Sequence, residues 1–138
     1  IGLGGQYKNF DIFLNKCYHY KNKYIEEMKI LNTNQNLWND IVKLLIEKKL
    51  TISTMESCTG GGIANEITNI SGASSVLRES YVTYCNEAKI NLGVSSDTIK
   101  KFTVYSQETA TEMAKAVKRK ANSDIAIGVT RTIRKNRS

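Results

Sequence analysis

The stretch Thr51-Ile52-Ser53-Thr54-Met55-Glu56-Ser57-Cys58-Thr59-Gly60-Gly61-Gly62, running on into Ile63-Ala64-Asn65-Glu66, decides how the rest of the chain is read. Its β-branched run predicts a strand over residues 51–55, and the helix formers beyond it predict a helix from Gly61 to Thr68. Between them lies a polar, glycine-rich bend carrying Ser57, Cys58 and Thr59. Glycines let a backbone approach a ligand closely. The free N–H groups at a helix start favour negative charge. This junction therefore suits a phosphate, or an oxyanion beside a nucleophile.

Upstream, Leu37, Trp38, Ile41, Val42, Leu44 and Leu45 recur at helical spacing, with Asn34 or Asn36 as N-cap and an end near Leu50. Downstream, the small residues Ser71 to Ser75 read as a loop, and Ser80-Tyr81-Val82-Thr83-Tyr84-Cys85 as a strand. A short helix begins at Asn86, and another, capped by Ser96 or Asp97, runs to Phe102. Ser106 caps a longer helix whose apolar face carries Ala110, Met113, Ala114 and Val117. Ile125 to Val129 is a continuous apolar run, as expected of a strand covered on both faces. Helices and strands in this order imply an α/β layered fold with at least three strands. If the strands before Ser57 and Thr130 are parallel, both residues lie at the same sheet edge, where ligands bind in such folds.

Composition narrows the field. A chain of 138 residues, 41% hydrophobic and 24% charged, supports one domain with a real core. Residues 35–130 read as that domain, residues 1–34 as a leader or the remnant of a preceding element, and residues 131–138 as a disordered basic tail. Since the chain starts at Ile1 without Met, it reads as a fragment or a trimmed form. No run approaches the ~18 apolar residues of a membrane span, and no signal-peptide pattern opens the chain. Cys17, Cys58 and Cys85 are odd in number and lack metal-ligand spacing, which favours free thiols in a reducing cytoplasm. The net charge of +7 owes +4 to Arg131, Arg134, Lys135 and Arg137, which argues against a nucleic-acid groove.

A serine is inert until a base takes its proton. The single histidine, His19, sits in the leader, so a Ser-His-Asp arrangement is disfavoured. A neutral lysine is the other common activator, often with a tyrosine nearby. Tyr84 and Lys89 fall across a strand end and the first turn of a helix, a spacing that can aim both at a neighbouring cleft. Lys89 must then lose about 3 units from its usual ~10.4, roughly 4–5 kcal/mol, through burial or a nearby cation. Without that shift it is an ordinary solvated lysine, and the Ser57 bend a plain turn.

Three blocks, Glu56 to Gly61, Val82 to Lys89 and Leu92-Gly93-Val94, together resemble the C-terminal domain of CinA, the competence/damage-inducible protein family. That domain also occurs alone as nicotinamide-nucleotide amidase. Ser71 to Ser75, Ser106 with Ala110, Met113 and Ala114, and Ala126 to Thr130 extend the resemblance over residues 36–130. It implies a three-layer α/β/α sandwich that hydrolyses the carboxamide of nicotinamide mononucleotide to nicotinate mononucleotide and ammonia, in cytoplasmic pyridine-nucleotide salvage. By position, Ser57 is implied as nucleophile, Lys89 as base, and Tyr84 as the partner that relays or orients the proton. Thr59, Gly60, Gly61, Asn86 and Thr130 are implied as substrate contacts, with the amides of Thr59 to Gly61 facing an oxyanion or a phosphate. No metal or cofactor is implied, and a homo-oligomer is favoured.

The chain departs from the family pattern after Thr130, where Arg131 stands in place of a glycine, and at Glu79-Ser80, where the family usually includes glycine. The first departure implies that the last strand and helix of the sandwich are lacking. An alternative reading keeps the Gly60-Gly61 cradle in a non-catalytic nucleotide-binding or competence-related regulatory module.

Overall fold

A computed structural model describes residues 37–130. The expectations for the leader with His19, for a cap at Asn34 or Asn36, and for the basic tail lie outside the described residues. Helix α1 (Leu37–Lys48) turns Ile41, Val42 and Leu45 inward, as its spacing predicts. It stops where Lys49 takes a left-handed φ of 54°. The chain then enters β1 (Ile52–Glu56), every residue of which is buried.

Helix α2 (Gly62–Thr68) follows β1, and a 3-10 turn (Ala73–Ser75) leads into β2 (Leu77–Val82). Three helices come next, α3 (Asn86–Asn91), α4 (Ser96–Phe102) and α5 (Gln107–Ala121), before the chain closes on β3 (Ile125–Val129). The sheet order is β2-β1-β3, and both pairings are parallel. Each neighbour of β1 is thus reached by a crossover, and the long apolar run at 125–129 is explained by burial of all five β3 residues.

Helices cover both faces of the sheet. On one face, Ile41, Val42 and Leu45 of α1 and Ile63 and Ile67 of α2 pack with Ile52, Ile125, Ile127 and Val129. On the other, Met113, Ala114, Ala116 and Val117 of α5 pack with Met55, Ala126 and Val94. The seven residues of α2 are too few for an independent helix. Burial of Ile63 and Ile67, about 1.5–3 kcal/mol each, helps to hold it in place. Helix α5 approaches β3 so closely that a Cβ on Gly128 would lie 2.2 Å from the Ala110 carbonyl oxygen.

Beyond one-residue shifts of β1 and the start of α2, the second strand and the cap of α4 differ from the sequence expectation. The second strand occupies 77–82 instead of 80–85, because pairing with β1 recruits Leu77-Arg78-Glu79 despite their weak strand propensity. Its register slips between Ile52↔Leu77 and Thr54↔Ser80, which places an extra β2 residue on this sheet margin. The cap of α4 is Ser95, whose Oγ accepts from the Asp97 and Thr98 amides, and neither Ser96 nor Asp97 serves. The expected cap of α5 is present, with Ser106 Oγ accepting from Thr109 N at 3.1 Å.

The register fixes where chemistry can occur. Glu56 lies beside Val82 on one side and Val129 on the other. The next residue of each strand end therefore forms a row, Thr83, Ser57, Thr130, at the carboxyl edge of the sheet.

Candidate active site

The bend after β1 is built around Glu56. Its side chain is fully buried, with 0% exposure, and its carboxylate is surrounded by donors. Oε1 accepts from Thr59 Oγ1 at 2.7 Å and from the Ile63 amide at 2.9 Å. Oε2 accepts from the Ala64 amide at 3.1 Å and from Thr54 Oγ1 at 3.4 Å. Gly61 is the N-cap of α2 and has no side chain to cap it, so the strand-end carboxylate takes over that task. Gly60 and Gly61 make the bend possible, with φ of 59° and 93°, values that a side chain would strain.

This arrangement changes the anion-site expectation. Two amides at the start of α2 already hold an internal anion, and the Gly60 and Gly62 amides donate to the Ser57 and Thr59 carbonyls. The Thr59 and Gly61 amides of the bend have no acceptor among the described residues. The Thr59 hydroxyl, expected at the substrate, is committed to Glu56. Gly60 is exposed on the bend.

Ser57 and Lys89 come together. Ser57 is 8% exposed and Lys89 only 1%. Lys89 Nζ lies 3.3 Å from Ser57 Oγ and donates to the Thr83 carbonyl at 2.6 Å. Thr83 is itself fastened to β1, its amide donating to the Glu56 carbonyl at 2.7 Å. Cys85 caps α3 in an extended conformation, and Lys89 follows one helical turn later, which carries the amine back beneath the strand ends. Burial pushes the Lys89 amine below the ordinary lysine value, against a smaller opposing influence of the Cys85 and Cys58 thiols. No carboxylate pairs with this amine among the described residues, so a neutral form is accessible.

Tyr84 is not brought to this pair. The strand ends two residues before it, and its side chain is 76% exposed with no hydrogen bond to Ser57 or Lys89. Asn86, the first residue of α3, is also exposed. Thr130 is buried at the end of β3, beside Ser57, and its hydroxyl donates to the Val104 carbonyl at 2.9 Å. That bond fastens β3 to a loop where Thr103 has a φ of 71°, an unusual value for a β-branched residue. The Ser106 and Thr109 hydroxyls hold the loop by donating to the Thr103 carbonyl.

Glu56 and Thr83 were missed as site residues by sequence reasoning. For Glu56 a signal existed: an acid closing a strand, before a helix whose N-cap is glycine. Thr83 acts through its backbone carbonyl, which no residue-type pattern reveals.

Comparison with known proteins agrees with this fold. The model of the CinA C-terminal domain matches residues 34–132. A putative competence-damage inducible protein of Clostridium beijerinckii is 52% identical over 96 residues, 69% of this chain and 23% of that protein. A CinA-like protein of Flavobacterium psychrophilum is 53% identical over 89 residues, 64% of this chain and 21% of that protein. This chain thus spans less than a quarter of the length of either relative. Among crystal structures, competence/damage inducible protein CihA of Agrobacterium tumefaciens superposes with a TM-score of 0.62 at 38% identity, over 64% of this chain and 55% of that one. A CinA superfamily protein of Escherichia coli gives 0.64 at 25% identity, over 83% of this chain and 63% of that one. The family match takes in every element from α1 to β3, with Ser57 and Lys89 inside it, and the chain belongs to the CinA C-terminal domain family.

Proposed function

We propose that this domain is an amidohydrolase that converts nicotinamide mononucleotide to nicotinate mononucleotide and ammonia by a serine–lysine mechanism. The observation that carries this reading is the buried Lys89 amine, 3.3 Å from Ser57 Oγ and without a carboxylate partner among the described residues. The choice of substrate rests on the resemblance of the Ser57 and Lys89 blocks to nicotinamide-nucleotide amidase.

In this mechanism neutral Lys89 takes the Ser57 proton as Oγ bonds to the carboxamide carbon. The carbonyl oxygen becomes an oxyanion, for which the Thr59 and Gly61 amides, without an acceptor among the described residues, are candidate donors. Collapse breaks the C–N bond, and the Lys89 ammonium returns its proton to the departing nitrogen, which leaves as ammonia. The nicotinoyl ester on Ser57 is then attacked by water, whose proton passes to Lys89. Cleavage of the ester releases Ser57 and the carboxylate product. Thr83 keeps the amine in place throughout, since its carbonyl accepts one Nζ hydrogen.

Ammonia release from nicotinamide mononucleotide, followed beside the Ser57→Ala variant, tests the reading. Release confined to the parent chain is expected. Equal background in both, with the nucleotide still raising the unfolding temperature, would favour the non-catalytic binding module instead.

A further inference from the structure

We propose that Glu56 is a positioning residue for Ser57: its buried carboxylate fixes the bend that presents the serine hydroxyl to Lys89. The inference rests on Ser57 being the nucleophile. Glu56 immediately precedes Ser57 and joins both halves of the site. Its carboxylate gathers donors from Thr54, Thr59, Ile63 and Ala64, tying the bend to β1 and to α2. Its backbone carbonyl accepts from the Thr83 amide, and the Thr83 carbonyl accepts from Lys89. A path of short contacts thus runs from α2, through Glu56 and Thr83, to the base.

The chemistry requires an anion here. A carboxylate offers acceptor sites on both oxygens, and the Thr59, Ile63 and Ala64 donors use both of them. A glutamine of the same shape would turn an NH2 group towards one pair of donors, so the bend must shift to relieve the clash of hydrogens. A shift of that kind separates Ser57 from Lys89, and misplacement by about 1 Å can cost about a hundredfold in rate.

A fluorophosphonate probe tests this without reliance on any nucleotide. Ser57 Oγ forms a bond to phosphorus, the P–F bond breaks, fluoride leaves, and Lys89 takes the serine proton. The rate of labelling per folded molecule is measured against pH for the parent chain, Ser57→Ala, Glu56→Gln and Thr59→Val. The parent chain is expected to label at Ser57 and the Ser57→Ala variant not at all. Glu56→Gln should label at least about tenfold more slowly on the high-pH plateau. Thr59→Val, which removes one donor and leaves the charge, should be slower by about threefold. Both should keep the parent's pH midpoint, because burial lowers the Lys89 pKa and neither Glu56 nor Thr59 contacts the amine. Should Glu56→Gln fail to fold, Thr59→Val decides. Plateau rates equal to the parent's in the folded variants, or a loss wholly explained by a moved pH midpoint, overturn the positioning role. Failure of the parent chain to label at Ser57 overturns the nucleophile reading itself, and this inference with it.

Discussion

The bends that follow β1 and β2 sit side by side at one sheet edge, yet they are built in opposite ways. After β1, Glu56 draws side-chain and backbone donors inward, and Ser57 is buried among them. After β2, the chain leaves the sheet with Tyr84 and Cys85 facing out, and Lys89 folds back into the interior from α3. The first bend is held by its own bonds. The second contributes one buried amine and an exposed rim. In the proposed mechanism the nucleophile needs fixed geometry, whereas the base needs only a dry place and one anchor, which Thr83 supplies.

Variants that break this contrast should differ in size. Ser57→Ala is expected to lower ammonia release by about 10³-fold or more, measured under saturating nucleotide. Lys89→Met should cost nearly as much activity, but its unfolding midpoint should be equal to or above the parent's, since a desolvated amine is removed. The folded-state pKa of Lys89 lies below the unfolded value, so between the two the unfolded chain binds a proton that the folded chain lacks. Stability therefore rises with pH across that interval, up to the ordinary value near 10.4, and Lys89→Met should abolish the rise in denaturant titrations. Activity of the parent chain should likewise climb with pH, with a midpoint below that of a free lysine. An acid limb at the ordinary lysine value would remove Lys89 as base.

Gly61→Ala tests the first bend. A Cβ there meets Val82 at 3.4 Å, ordinary contact, but the φ of 93° is strained for alanine. A loss of about 1–2 kcal/mol is expected from thermal or urea unfolding. The smallest effect belongs to Tyr84→Phe. With its side chain exposed and no hydrogen bond to Ser57 or Lys89, a change of less than about threefold in Ser57 labelling is expected, against the near-complete loss with Lys89→Met. A hundredfold loss instead would show that the rim closes onto the nucleophile during the reaction.

Much of this was legible before the structure. The apolar spacing of α1 and α5, the Ser106 cap and the continuous run of β3 are local signals, and local energetics follow them. The start of β2 was not legible, because Leu77-Arg78-Glu79 become strand only through pairing with β1. Nor was the separation of Tyr84 from Lys89. Five positions apart across a bend, the two were expected in one cleft, and a three-residue difference in where the strand ends leaves Tyr84 exposed to solvent.

The sequence by itself determined the α/β alternation and the family, and it put Ser57 and Lys89 forward as a candidate pair, since these depend on residue type and spacing along the chain. Tertiary structure alone decided that Lys89 is dry, that Thr83 anchors it and that Glu56 occupies the amides at the start of α2. Those features depend on which groups exclude water from which others. Water is excluded only when strands distant in sequence lie side by side.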